Sequence, residues 1–158
     1  MPKEHLDPLR LGASDSGEVM TLQRAAYVTE ARAHDDLGMP PLTETLGQVR
    51  DQLARPDTTA WGIREHGRLV ASVRVRLADP ATAEIGRLCV APDRQGNGLG
   101  SGLLAAAEAR LPAGVSRVRL FTGEHSHANL RLYQRAGYRE TGRTRAGHYD
   151  LVHLAKAR

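Results

Sequence analysis

The stretch Ile85-Gly-Arg-Leu-Cys-Val-Ala-Pro-Asp-Arg-Gln-Gly-Asn-Gly-Leu-Gly-Ser-Gly-Leu-Leu-Ala-Ala-Ala107 decides how the rest of the chain is read. It opens as a strand, passes through a polar turn at Pro92, and enters a helix inside a cluster of glycines. Gly96, Gly98, Gly100 and Gly102 occupy alternate positions just where the apolar pattern changes period. Glycines leave consecutive backbone N–H groups uncovered, and the first turn of a helix adds unsatisfied N–H groups and the positive end of its dipole. The combination predicts an anion site suited to phosphate or pyrophosphate.

Working outward, Leu9 to Leu11 reads as an entry strand. Val19, Leu22, Ala26 and Tyr27 recur at helical spacing from Ser16 to about Ala33. A loop containing Pro40 and Pro41 follows, and Thr43 is expected to cap a second helix that runs to about Ala54. Thr58 to Arg64 and Leu69 to Leu77 read as a hairpin turned at Gly67. In the second of these strands Leu69, Ala71, Val73, Val75 and Leu77 alternate with Ser72, Arg74 and Arg76, which predicts a solvated polar face. Ala83 to Val90 is the next strand and Gly98 to Leu111 the glycine helix, with Leu99, Leu103, Ala106, Ala107 and Leu111 as its buried stripe. Val115 to Phe121, a short helix over Ser126 to Arg135, and strands over Tyr138 to Thr144 and His148 to Ala155 complete the chain. The order β-α-α-β-β-β-α-β-α-β-β predicts one domain over residues 1–158. Its fold class is α/β, a mixed and mostly antiparallel sheet of six to seven strands flanked by helices. The strands on either side of the glycine helix are expected to be parallel, as a crossover requires.

Composition narrows the function. A chain of 158 residues with 25% charged and 41% apolar residues suits one soluble core. No apolar run approaches the roughly 20 residues that span a bilayer, and the first residues lack the apolar centre of a signal peptide. The reading is a cytoplasmic protein without a membrane partner. The one cysteine, Cys89, excludes an intramolecular disulfide and a cysteine metal cluster. The net charge of +4 suits polyanions, yet aromatic residues make up only 4% and no dense basic run occurs. A stacking reader of nucleic acid interleaves the two, so a small polyanionic ligand fits at least as well.

Three phosphate-binding templates compete for the glycine cluster. A nucleotide P-loop needs Gly-Lys before Ser or Thr, and no lysine lies between Lys3 and Lys156. A dinucleotide fingerprint needs a third glycine where Ser101 stands, and it belongs after a first strand rather than in mid-chain. The third template fits: Gln95-Gly-Asn-Gly98-Leu-Gly100 matches Q/R-x-x-G-x-G/A, the acyl-CoA signature of GCN5-related N-acetyltransferases, the GNAT family. Leu88-Cys-Val-Ala-Pro92 resembles that family's fourth strand with its bulge. Asn129-Leu-Arg-Leu-Tyr133-Gln-Arg-Ala-Gly137-Tyr138 resembles its second signature. The element order matches too, so the resemblance extends over nearly the whole chain.

The resemblance implies acetyl-CoA as co-substrate and an amine of a small molecule or protein as acceptor. It implies that Gln95, Gly96, Asn97, Gly98, Leu99, Gly100 and Ser101 surround the pyrophosphate, and that Leu88, Cys89 and Val90 pair with the pantetheine arm. An open strand edge offers the donors and acceptors that two amides need. It also implies direct attack in a ternary complex, with Tyr133 as proton donor to the departing thiolate and Asn129 on the same helix face. A phenol with an ordinary pKa near 10 is protonated at neutral pH and suits that role. Many members are homodimers, which the resemblance extends to this chain as an expectation.

An alkyl ammonium titrates near about 10.4, so it must lose a proton before it attacks. Glu84 is the first candidate base, Glu124 the second, and a water path the third. An oxyanion donor is expected among the backbone N–H groups near Val90. Tyr27, Glu30, Glu124 and Tyr149 are candidate acceptor-site residues, together with the segment from His34 to Met39. Cys89, in an apolar strand and without a placed histidine, reads as a small buried hydrophobe rather than a nucleophile. His125 and His127, with no third ligand, read as a polar loop and not a metal site. Arg74, Arg76, Arg117 and Arg119 read mostly as solvated strand residues, with contact between one or two of them and the 3′-phosphate of CoA left open. Two other classes stay open on sequence: a non-catalytic acyl-CoA sensor and a basic nucleic-acid-binding domain.

Overall fold

Seven strands form one mixed sheet in the computed structural model, which describes residues 7–158. In chain order the elements are β1 (Leu9–Leu11), α1 (Ser16–Ala26), α2 (Val28–His34), α3 (Pro40–Thr43), α4 (Leu46–Ala54), β2 (Thr58–Glu65), β3 (Arg68–Asp79), β4 (Thr82–Val90), α5 (Leu99–Ala109), β5 (Arg117–Gly123), α6 (His127–Arg135), β6 (Arg139–Ala146) and β7 (Tyr149–Ala157). The strands lie in the order β1-β2-β3-β4-β5-β7-β6. Every neighbouring pair is antiparallel except β4 and β5, which are parallel across the α5 crossover as expected.

The stretch around the glycine cluster positions everything else. β4 pairs with β5 only through Thr82–Arg117, Ala83–Val118 and Glu84–Arg119. Beyond Glu84 the two strands part, and the free edge of β4 faces an open fork. On its other edge β4 follows β3 with an interruption. Ser72 faces Cys89 and Arg74 faces Gly86, so Arg87 and Leu88 together stand opposite Val73. This is a β-bulge, and Arg87 takes φ +53 to make it. The bulge lies at Arg87 and Leu88, earlier than the neighbourhood of Val90 named from sequence.

Three local expectations are corrected. The helix read from Ser16 to Ala33 breaks at Tyr27, where ψ flattens to −1° and α2 sets off separately. The cause is tertiary: α2 ends on His34, which is anchored at the far end of β5. The second helix is capped by Thr45 rather than Thr43. Thr45 Oγ1 accepts from the Gln48 N–H at 3.2 Å and Gln48 Oε1 accepts from the Thr45 N–H at 2.9 Å, a reciprocal box that satisfies two orphan donors. Thr43 ends α3 instead, with its hydroxyl on the Met39 carbonyl at 3.3 Å. The alternation in β3 does not mark a solvated face. Residues 69–75 are buried without interruption, Ser72 and Arg74 included, because α1 packs against β3 and so does α5. A central strand covered on both faces has no wet side.

The core runs through Val70, Val73, Ala83, Leu103 and Val118, all fully buried. Truncating a side chain such as Leu103 to alanine in such a core costs about 2–5 kcal/mol. No described helix is long and apolar enough to cross a membrane.

Candidate active site

The fork between β4 and β5 opens into two cavities on the protein surface. One, of about 480 Å³, lies over the glycine turn and the α6 face, and Leu88, Val90, Gly98, Ser101, Asn129 and Arg131 are among its walls. The other, of about 620 Å³, lies between the α1–α4 region and the sheet, and is lined by His34, Glu44, Arg74, Glu84, Tyr133 and Tyr149 among others. Tyr27, Glu30, Leu88 and Asn129 belong to both. At these four residues the two cavities adjoin.

The smaller cavity is walled by unpartnered backbone N–H groups and by arginines. Gly96 and Gly98 sit at φ +80 and +78, the left-handed region that glycine enters without a β-carbon penalty. Gly98 is the N-cap of α5, and the Gly102 N–H is the first to bond back, to Gly98 O at 3.0 Å. The N–H groups of Leu99, Gly100 and Ser101 therefore have no partner within the helix and project at its positive end. Arg131 and Arg135 add positive charge around the same cavity, while Arg94 in its wall is paired with Glu65 at 2.6 Å. On the strand side, the Ala91 N–H donates to Val70 O at 2.8 Å. Antiparallel alternation then turns the N–H and C=O of Val90 toward the open edge. Gln95 Nε2 reaches that Val90 carbonyl at 3.1 Å, which fits the same orientation.

Most residues named from sequence for this cavity line it: Leu88, Cys89, Val90, Gln95, Gly96, Gly98, Leu99, Gly100, Ser101 and Asn129. Asn97 does not. Its Nδ2 turns back to the carbonyls of Arg94 and Gln95, both at 3.2 Å, and braces the turn from behind. Cys89 is buried with its Sγ 3.4 Å from Ser72 Oγ, and burial pushes its thiol up to about 11. A thiol in that state is neither nucleophile nor thiolate at neutral pH.

Tyr133, on α6, lines the larger cavity close to the confluence. Its ring packs edge-on to Tyr138, burial pushes its phenol well above the ordinary value, and among the described residues no side chain or carbonyl takes its hydroxyl. The hydroxyl is a protonated donor at any working pH. Asn129 Nδ2 donates to Glu30 Oε1 at 3.3 Å, and Ser126 Oγ donates to Glu30 Oε2. The sequence placed Asn129 one turn from Tyr133; only the fold brings Glu30 of α2 to it.

The two carboxylates first considered as bases are placed less favourably. Glu84 lines the larger cavity but is gripped by Arg76 at 2.9 Å and by Arg119, whose Nε lies at 3.0 Å. Burial acts to raise its pKa, but the two guanidiniums outweigh that and hold the carboxyl below its usual range. A base works best with a pKa near the operating pH, and this clamp moves Glu84 the other way. Glu124 lies outside both linings. Its Oε1 accepts the Asp150 N–H at 3.0 Å and its Oε2 faces Arg143 at 3.5 Å.

The α2 side of the larger cavity is organised by a residue that sequence named only within a loop. His34 is buried. Its Nδ1 lies 2.8 Å from Glu30 O, its Nε2 accepts the His125 N–H at 3.0 Å, and its ring stacks on Tyr149 at 4.6 Å. Nδ1 therefore carries the proton and donates to the carbonyl. Tyr149 in turn donates to Asp36 Oδ2 at 2.6 Å. Tyr27 stands at the joint between α1 and α2 and walls both cavities. Arg74, expected to be solvated, is nine-tenths buried and donates to Gln23 Oε1 at 3.0 Å.

The family model described as the acetyltransferase (GNAT) family matches residues 21–138, from α1 to the end of the second signature. The chain belongs to the GNAT acetyltransferase family. No curated protein sequence matches it. Solved structures with similar folds include the ribosomal-protein-S18-alanine N-acetyltransferase from Escherichia coli, at TM-score 0.80 and 18% identity over 96% of this chain and 92% of that one. The PaiA N-acetyltransferase from Thermoplasma acidophilum, in complex with coenzyme A, follows at 0.79 and 15% over 96% and 98%. An acetyltransferase from Thermus thermophilus has TM-score 0.73 and 21% identity over 97% and 99%. At these identities the likeness is one of GNAT fold, a seven-stranded mixed sheet between helices.

Proposed function

We propose that this GNAT chain is an acetyl-CoA-dependent N-acetyltransferase that moves an acetyl group to a primary amine of a small molecule or protein by direct attack. The observation that supports this best is the confluence of the two cavities at Tyr27, Glu30, Leu88 and Asn129. A donor lying along β4 and an acceptor in the larger cavity would meet only there. The coenzyme-A complex of the Thermoplasma acidophilum neighbour agrees with such a donor.

Acetyl-CoA supplies an activated thioester; the chain's residues supply the rest. The free N–H groups of Leu99, Gly100 and Ser101 bind the pyrophosphate, and the open edge at Leu88 and Val90 hydrogen-bonds the pantetheine amides. Backbone N–H groups at the Arg87–Leu88 bulge polarise the thioester carbonyl. Glu30 takes the place first given to Glu84. Its carboxylate is at the confluence and bonded to Ser126 and Asn129, two neutral donors, so no cation of the protein is paired with it. It attracts the ammonium and accepts its first proton; Tyr133 O–H gives a proton to the leaving thiolate and is restored by the second proton, which the nitrogen sheds as the amide forms.

The test is release of free thiol from acetyl-CoA across polyamines, amino acids, aminoglycosides and peptides, read against Glu30→Gln and Tyr133→Phe. Acceptor-dependent release that both variants reduce by about 10² or more would bear out these roles. Tight acetyl-CoA binding with no thiol release for any acceptor would favour a sensor instead. Salt-sensitive binding to duplex DNA with no acetyl-CoA binding would overturn both.

A further inference from the structure

The larger cavity is electrically divided, and the division says something about what enters it. On its sheet side Arg74, Arg76 and Arg87 line the cavity, and with Arg119 beside them they share two carboxylates. Arg74 and Arg87 both bind Glu44, at 3.3 and 2.8 Å, and Arg76 and Arg119 both bind Glu84. Burial would raise the pKa of Glu44, but Arg87, Gln23 and Arg74 overcome it and hold the carboxyl ionised. One positive charge is thus left over in each group.

The excess around Glu44 is the more telling, because it is out of water. Arg74 is nine-tenths buried, and the Nε atoms of Arg74 and Arg87 are buried without a hydrogen-bond partner among the described residues. A buried guanidinium lacking its full complement of acceptors is costly. Arg87 also holds a left-handed backbone at φ +53, a conformation that strains any residue with a bulky side chain. The bulge turns this one arginine into the cavity, toward Glu44 on the loop between α3 and α4. At the confluence and along the α2 side the sign reverses. Glu30 is bonded to Ser126 and Asn129, and Asp36 to Tyr149 and the Gly38 N–H, with no cation among those partners.

We infer that the acceptor is an amine that also carries a carboxylate, its ammonium drawn to Glu30 and its carboxylate to the Arg74–Arg87 pair. This rests on the acetyltransferase reading and narrows it, away from polyamines and other polycations and toward molecules of the amino-acid type. Two guanidiniums sharing one glutamate have donors to spare for a second carboxylate, in the geometry arginine favours. Polycations would place a second positive charge against the surplus already there, which disfavours them.

The experiment compares matched acceptors: α- and ω-amino acids, their carboxamides, and the amines left when the carboxylate is removed. Thiol release from acetyl-CoA is followed for each. The expected result is a kcat/KM at least tenfold higher for the acid than for its amide or decarboxylated partner. R87Q and R74Q should each reduce that ratio to below threefold. R87G is the control for folding, because glycine accepts the φ +53 backbone; it too should collapse the ratio. Whether α- or ω-acids are preferred reports the spacing between the two charged ends. Equal or better turnover of the amides and decarboxylated amines in the unaltered protein would overturn the inference and leave the acetyltransferase reading standing. A preference for acids that survives in all three variants would overturn the assignment to this arginine pair. No thiol release with any acceptor would overturn the acetyltransferase reading, and this inference with it.

Discussion

The imidazole of His34 fills the space that a β-carbon on Gly123 would need. Gly123 is the last residue of β5 and His34 the last of α2, so this contact docks α2 onto the sheet where the fork opens. The same ring holds the Glu30 carbonyl and the His125 N–H, and His148 Nε2 lies 2.6 Å from the His34 carbonyl.

Gly123→Ala should therefore push α2 away from β5. Overpacking of this kind costs about 1–3 kcal/mol. The expected outcome is a lower Tm and a higher KM for the acceptor, with acetyl-CoA binding little changed. In a His34→Ala background the same glycine substitution should cost less than in the unaltered chain, and a double-mutant cycle by thermal denaturation measures the difference. Equal costs in both backgrounds would mean that the contact does not couple them.

Tyr133→Phe removes a hydroxyl that holds no partner among the described residues and leaves the ring packed on Tyr138. Stability should change by less than about 1 kcal/mol, within the range of well-tolerated core substitutions. The rate constant kcat should fall by about 10² or more, the usual share of a positioned proton donor. Steady-state kinetics beside a melting curve separates the two effects.

Cys89→Ala should retain turnover within about threefold, because a buried thiol at about 11 takes no part as nucleophile. Iodoacetamide should label the folded protein far more slowly than the unfolded one. Loss of an acetyl-cysteine signal with loss of turnover would reinstate a covalent route.

Gly98→Ala places a β-carbon on a residue at φ +78, where nothing lies within 4 Å to obstruct it. The cost is in the backbone alone, about 1–2 kcal/mol. Relaxing toward negative φ would turn the first N–H groups of α5 away from the ligand. KM for acetyl-CoA should rise more than KM for the acceptor.

Glu44→Gln tests the arginine clamp through pH. The Glu44 carboxyl lies below its usual range in the folded protein, with burial on one side of the balance and Arg87 and Gln23 on the other. Its contribution is in full force above the unfolded value of about 4.3 and is lost as pH falls through the lower folded value. The stability gap between the unaltered chain and E44Q should be constant near neutrality and close below about pH 4. Denaturant titrations across that range measure it.

How much was legible beforehand differs between the two cavities. The turn at Gly96 and Gly98, the helix behind it and the fork-side strand lie within one contiguous stretch, so the donor side could be read from spacing and residue type. For Asn97 the motif gives the position and not the direction of its side chain, which turns back to the carbonyls of Arg94 and Gln95. On the acceptor side nearly every decisive neighbour is distant in sequence. Glu30 with Ser126, Gln23 and Arg74 with Glu44, and His34 with Gly123 are each joined only by folding. The break at Tyr27 escaped detection for the same reason, since the helical periodicity runs through it unbroken.

By itself, then, the order of residues determined most of the elements, the parallel crossover and the glycine turn that opens α5, because backbone conformation and apolar period are local properties. Tertiary structure decided the charge states and partners. Glu84 looked like a free strand carboxylate until the sheet register set it between Arg76 and Arg119. Arg74 looked solvated until helices covered both faces of β3. Electrostatics depends on distance and burial, and neither exists until the chain has folded.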